Sequence, residues 1–168
     1  MMSRDLAADA FSRVQEAVHA VLEGLTPAAL TYRVDDEANT IAWLLWHLTR
    51  VQDDHIGDVD GRGQVWLTQG WVQRFALPLE ASDTGYGHGA IAVGAVKPEV
   101  VMLGDYFDAV HRKTLEFVEE LTDEDFDRIV DERWDPPVSL GVRLNSIVAD
   151  DLQHAGQAAY IRGLYDRK

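Results

Sequence analysis

The sequence predicts an all-α fold, a four-helix bundle with a long irregular crossover between its second and third helices. Two observations carry this expectation. Four segments repeat apolar residues at alternating steps of three and four, the period of an amphipathic helix buried along one side. Between the second and third of them, at about residues 57–97, no clear period holds and aromatic and glycine residues accumulate. A connection of that length inside a compact domain crosses a bundle or carries function. No internal repeat interrupts the pattern, so residues 1–168 are expected to form one domain.

The first helix is expected over roughly Ser3 to Leu25, with Ser3 as its cap and Ala7, Phe11, Val14, Val18, Val21 and Leu25 as its stripe; Thr26-Pro27 ends it. The second follows "DEANT", with Asn39 or Thr40 as its cap. Ile41, Leu44, Leu48 and Val51 line one face of "IAWLLWHLTRVQDDHI", and His47 borders that face. Trp43 and Trp46 flank the histidine as packing residues, and Asp54 and His55 are expected to cap or solvate the helix end. The crossover holds Trp66, Trp71 and Phe75, with a helical turn expected in "VWLTQGWVQRF", and then the loop "DTGYGHG". The third helix is expected to begin at Pro98, a favoured first position. Its stripe is Val100, Leu103, Phe107, Val110, Thr114, Phe117 and Leu121, and His111, next to Arg112 and Lys113, is expected at the surface. "EELTDEDFD" reads as a solvated acidic helix end and "DERWDPPVSL" as an irregular connection. The fourth helix starts behind Ser139 as its cap. Its stripe, Ile147, Asp151, His154, Ala158, Ile161 and Tyr165, is polar in the middle, with Asp150 beside it.

Composition narrows the function. The formal net charge is −14, and such a surface repels phosphate backbones, so nucleic acid is not an expected partner. No apolar run is long enough to span a membrane, and "MMSRDLAADAF" lacks the apolar core of a signal peptide, so a cytoplasmic protein is expected. The chain has no cysteine. Any metal must therefore be held by His, Asp or Glu, and any thiol chemistry must use an external thiol.

Bundles build ligand sites from inward side chains of facing helices, so chemistry is expected at the polar break in the fourth stripe. Asp150 and His154 stand four residues apart and share a face, the spacing that lets two side chains reach one metal ion. A third ligand must come from another helix, and His47 is the best candidate. Two histidines and one carboxylate form the pattern of a catalytic rather than a structural zinc site. By spacing alone Asp151 serves as well as Asp150, and a solvent-facing Asp–His pair is the alternative to any metal. Gln157, three residues after His154, is a candidate to hydrogen-bond a ligand or the substrate. Arg143, seven residues before Asp150, is a candidate to bind a carboxylate of a thiol cofactor; the alternative is a surface ion pair. Tyr86 and His88 would touch substrate if the glycine loop folds over the bundle mouth.

"NTIAWLLWHLTRVQDDHI", "DTGYGHG" and "VADDLQHAGQAAYIRG" together resemble the DinB-like superfamily, and more narrowly its actinobacterial branch that includes mycothiol-dependent maleylpyruvate isomerase. The resemblance spans nearly the whole chain and implies a four-helix bundle with a metal held by three residues. The histidine ending "WLLWH" corresponds to His47 and that of "HxGQ" to His154. The middle ligand corresponds to Asp150, where relatives carry His or Glu; this chain has a shorter acid. The resemblance further implies a metal-dependent thiol S-transferase or isomerase using mycothiol, bacillithiol or glutathione on a small-molecule substrate. Zinc and nickel both suit the donors. A metal- or small-ligand-binding bundle without turnover, linked to stress, and a bare scaffold are the competing expectations. An apolar bundle face left by short loops would favour a homodimer.

Overall fold

The computed structural model describes residues 2–168. In chain order the helices are α1 (Ser3–Leu22), α2 (Pro27–Leu30), α3 (Ile41–Asp60), α4 (Val65–Thr68), α5 (Trp71–Phe75), α6 (Ala90–Ala95), α7 (Val100–Glu119) and α8 (Leu140–Tyr165). Strands β1 (Ile129–Asp131) and β2 (Val138–Ser139) pair antiparallel just before α8. The fold is all-α apart from this hairpin. Among the described residues no helix is long and apolar enough to cross a membrane.

The four long helices bury most of the residues that the periodicity selects, with Ala7, Val100, His154 and Tyr165 half-buried. Phe11, Val14, Val18 and Val21 of α1 and Leu103, Phe107, Val110, Thr114 and Phe117 of α7 all lie in the core. Each long helix packs against two others, in the cyclic order α1, α7, α3, α8. Contacts give their directions. Tyr106 meets Asp53 and Lys113 meets Asp60, so α3 and α7 run parallel. His47 meets His154 while His55 meets Arg143, so α3 and α8 run antiparallel. Two parallel helices joined in sequence need a return along their length, roughly 30 Å for 20 residues. That return is the crossover. It starts at Gly61, later than the expected Gly57, because Gly57 is still inside α3 and the left-handed stop comes at Gly61, φ 69°. Trp66, Trp71 and Phe75 of the crossover gather around Tyr106 at ring distances of 5.2, 5.3 and 5.6 Å and widen the core on that side.

Several boundaries differ from expectation. Ser3 is the first helical residue rather than the cap; its N–H donates to Asp123 Oδ1 at 2.7 Å. Helix α1 stops at Leu22, and Thr26-Pro27 opens α2, with Thr26 Oγ1 accepting from Ala29 N–H at 3.2 Å. Thr40 caps α3 by accepting from Trp43 N–H at 3.0 Å, and Ser139 caps α8. Pro98 is buried ahead of Glu99, the residue that caps α7. The acidic stretch forms a 3-10 turn at Asp123–Asp127, and "DERWDPPVSL" contributes to the hairpin.

His111 is buried, not at the surface. Its ring stacks on Phe107 at 5.9 Å, and its Nδ1 has no hydrogen-bond partner. Burial lowers its pKa; the Asp108 charge opposes the shift and His19 adds to it. Below the ordinary histidine pKa of 6.5 the unfolded chain therefore takes up a proton that the folded chain refuses, and stability falls as pH drops. His111→Phe removes this term. Its melting temperature relative to wild type is expected to be flat above that pH and to rise progressively below it, read by thermal melts across a pH series.

Candidate metal centre

The polar break in α8 faces the histidine of α3. His47, Asp150 and His154 each offer a ligand atom, and these atoms lie within 4.8 Å of one another. His154 Nε2 stands 3.6 Å from Asp150 Oδ1, and the two imidazole centroids are 4.9 Å apart. Donors around one zinc ion lie about 2.0–2.2 Å from it and hence roughly 3–4 Å from each other. A modest contraction of the set reaches that spacing. Asp150 Oδ2 is buried with no hydrogen-bond partner, so the chain gives this oxygen no donor of its own. The residues present fit a divalent cation.

Both candidate histidines have a hydrogen-bond partner on Nδ1, and for His47 that partner fixes the tautomer. His47 Nδ1 is 2.5 Å from the Thr84 carbonyl oxygen, which can only accept, so the proton sits on Nδ1 and Nε2 keeps its lone pair. His154 Nδ1 is 2.9 Å from the exposed Gln157 amide, which steadies the ring of this candidate ligand. His47 is buried, and burial lowers its pKa; the Thr84 bond and Asp150 oppose the shift, while His154 and His88 add to it. The imidazole is therefore neutral at neutral pH, as a ligand must be.

Asp151 is a different kind of residue from Asp150. It is 0% exposed, outside the donor group, and neither carboxylate oxygen has a hydrogen-bond partner. Burial, and then the Asp150 charge, push its pKa well above the usual carboxylate range. The choice that spacing left open falls on Asp150.

Aromatic rings wall the His47 side. Trp43, one helical turn earlier, stacks on His47 at 4.6 Å, and the exposed Tyr86 meets the same ring edge-on at 5.2 Å. The glycine loop does fold over the bundle. His88, however, turns away from the ligand atoms: its ring stacks on Trp46, Nδ1 receives the Trp43 indole N–H at 3.1 Å, and Nε2 is 2.9 Å from Asp83 Oδ2. Arg143 is not free for a cofactor; the ion pair is the expectation that holds, with one exposed partner, Asp58, and one buried partner, Asp131. It is buried, with Nη1 on His55 Nδ1 and Asp58, and Nη2 on Asp131 at 3.2 Å. Asp54 and His55 lie inside α3 and bond to Gln64 and Arg143, so neither caps a helix end. The Thr84 carbonyl escaped the sequence reading because a backbone group has no residue-type signature. Its one trace is the glycine beside it.

Gly85 has φ +102°, and a Cβ there would lie 2.7 Å from His47 Nδ1 and 3.1 Å from the Trp43 ring. Both rings are buried and stacked, so neither can yield. Gly85→Ala is expected to destabilise by about 1–3 kcal/mol and to push Thr84 off His47. Gly87→Ala, at φ +76° with nothing within 4 Å, is the control that carries backbone strain without the collision. Thermal melts and zinc affinity of the two variants separate strain from displacement.

A crystal structure described as the conserved protein of locus from Enterococcus faecalis superposes with a TM-score of 0.92, covering 100% of this chain and 99% of that one at 29% identity. A search of curated proteins returns no match. The family model of the DinB superfamily matches residues 10–158, from the first long helix through the last candidate ligand, and the chain belongs to that superfamily.

Proposed function

We propose that this chain binds one divalent metal ion through His47, Asp150 and His154 and uses it to activate a low-molecular-weight thiol of the mycothiol type, or water, against a small electrophile. The observation that carries the reading is the convergence of two imidazoles and one carboxylate, with His47 Nδ1 committed to a backbone acceptor so that its Nε2 is free. A zinc or nickel ion bound there lowers the pKa of a coordinated thiol or water and so supplies a nucleophile at neutral pH.

The chain's own groups account for the rest. Asp150 brings the negative charge that offsets a cation. Trp43 and Tyr86 exclude water from the His47 side, which strengthens every charge interaction there. The Asp150 and His154 side chains are 28% and 15% exposed, so a small molecule reaches the donors from the α8 side. Tyr86 stands beside that approach. With no cysteine in the chain, a thiol reaction takes its sulfur from a cosubstrate.

The test starts with protein purified without an affinity tag and analysed for metal. It is then assayed with added zinc or nickel against mycothiol, bacillithiol, glutathione and a model electrophile. Metal-dependent consumption of one thiol, or metal-dependent hydrolysis, is the expected result. No metal uptake overturns the reading. Uptake without turnover makes the chain a metal-binding bundle.

A further inference from the structure

We infer that the Asp83–His88 pair is a positioning device that selects the ring nitrogen His47 offers to a ligand. The inference rests on the proposed metal site. A free neutral imidazole favours the proton on Nε2, the nitrogen that here must stay bare. The Thr84 carbonyl reverses that preference, and it does so only while it is held over Nδ1.

The hold is built from the loop itself. Trp66 Nε1 donates to the Ala81 carbonyl at 3.0 Å and Arg50 Nε to the Asp83 carbonyl at 3.2 Å, which anchor the loop's entry. Asp83 then spends both carboxylate oxygens inside the loop: Oδ1 accepts from Gly85 N–H at 2.8 Å and Oδ2 faces His88 Nε2 at 2.9 Å. The Trp43 indole can only donate, so His88 Nδ1 accepts from it and His88 Nε2 carries the proton that Asp83 receives. Residues 83–88 are closed into a turn whose far end is tied to Trp43, the ring stacked on His47. Thr84 lies inside that turn. The pair touches no ligand atom and acts only through the carbonyl.

Nitrogen NMR on labelled, metal-free protein reads the His47 tautomer directly. Wild type is expected to show the Nδ1–H form. His88→Phe keeps a ring against Trp46 but removes both hydrogen bonds; it should move His47 toward the Nε2–H form and weaken zinc binding about 10- to 100-fold. His88→Gln, whose amide accepts from Trp43 and donates to Asp83, should restore both. An unchanged tautomer in His88→Phe overturns the inference. If that variant fails to fold, Asp83→Asn, which keeps an acceptor for Gly85 and loses the one facing His88, is read by the same criterion. A wild type that takes up no zinc, while the tautomer still responds to these substitutions, removes the metal reading and leaves the positioning role standing.

Discussion

His154→Ala protein will bind zinc or nickel roughly 100- to 1,000-fold more weakly than wild type, and His47→Ala will do the same. The scale follows from structural zinc sites, whose binding energy of about 10–16 kcal/mol over four ligands comes to roughly 2.5–4 kcal/mol for each. Helical content should be retained in His154→Ala, because that residue is only partly buried. The readout is equilibrium metal titration of untagged protein, with circular dichroism as the check on folding. Acid should compete with the metal at His47 only below the ordinary histidine range, since burial has already lowered its pKa. Unchanged metal content in both variants would mean that the ion sits elsewhere. Asp150→Glu should retain binding, because it keeps the carboxylate donor and adds one methylene of reach toward the two histidines. Asp151→Asn should leave metal content unaltered, since Asp151 is outside the donor group.

The second large effect is predicted about one turn along α3 from His47. Arg50 is 0% exposed and holds four elements together: its guanidinium meets Asp53 at 3.6 Å, Tyr106 OH at 3.4 Å, Gln64 Oε1 at 2.9 Å and the Asp83 carbonyl at 3.2 Å, over the Trp66 ring. Removing one member of a buried ion pair costs about 3–5 kcal/mol, because the partner stays behind uncompensated. For a chain of this size that is roughly 6–20 °C in melting temperature. The sign of the pH dependence adds a second check. Burial raises the Asp53 pKa even against the Trp66 and Val65 N–H bonds, the Tyr106 hydroxyl and the Arg50 charge. The folded state therefore holds the Asp53 proton to higher pH than the unfolded state, and stability is lost as pH rises through that window. Without Arg50 the window extends upward, so Arg50→Ala should be more damaging at neutral pH than near pH 4. Thermal melts at the two pH values test this; equal losses would mean that Arg50 acts by packing alone.

The bundle was legible because its stripes are long. Leu103, Phe107, Val110, Thr114 and Phe117 recur with helical period and are all buried, so threonine at one stripe position did not mislead. The Thr40 cap and the one-turn spacing of Asp150 and His154 were readable for the same reason: local geometry acts over a single turn. His111 was misplaced by its neighbours Arg112 and Lys113. Adjacent residues on a helix point about 100° apart, and the residue that sets the environment of His111 is Phe107, one turn earlier. Asp54 and His55 were placed at a helix end because Gly57 resembles a stop, whereas the chain turns only where φ becomes positive, at Gly61. Spacing left Asp150 and Asp151 level; the core decides between them, since one is drawn wholly inside and the other reaches the histidines. Arg143 is held by Asp131 of the hairpin, and His88 by Asp83 of the same glycine loop; both aspartates lie outside the long helices, where no helical period announces a pairing.

The three candidate donors ride on α3 and α8, two rods in extensive mutual contact, while Tyr86, beside the approach to them, comes from a stretch without regular elements. Stiffness and selectivity therefore belong to different portions of the polypeptide. Evolution can rewrite residues around Tyr86 to admit a new compound without loosening the cage, provided the carbonyl at position 84 keeps its place.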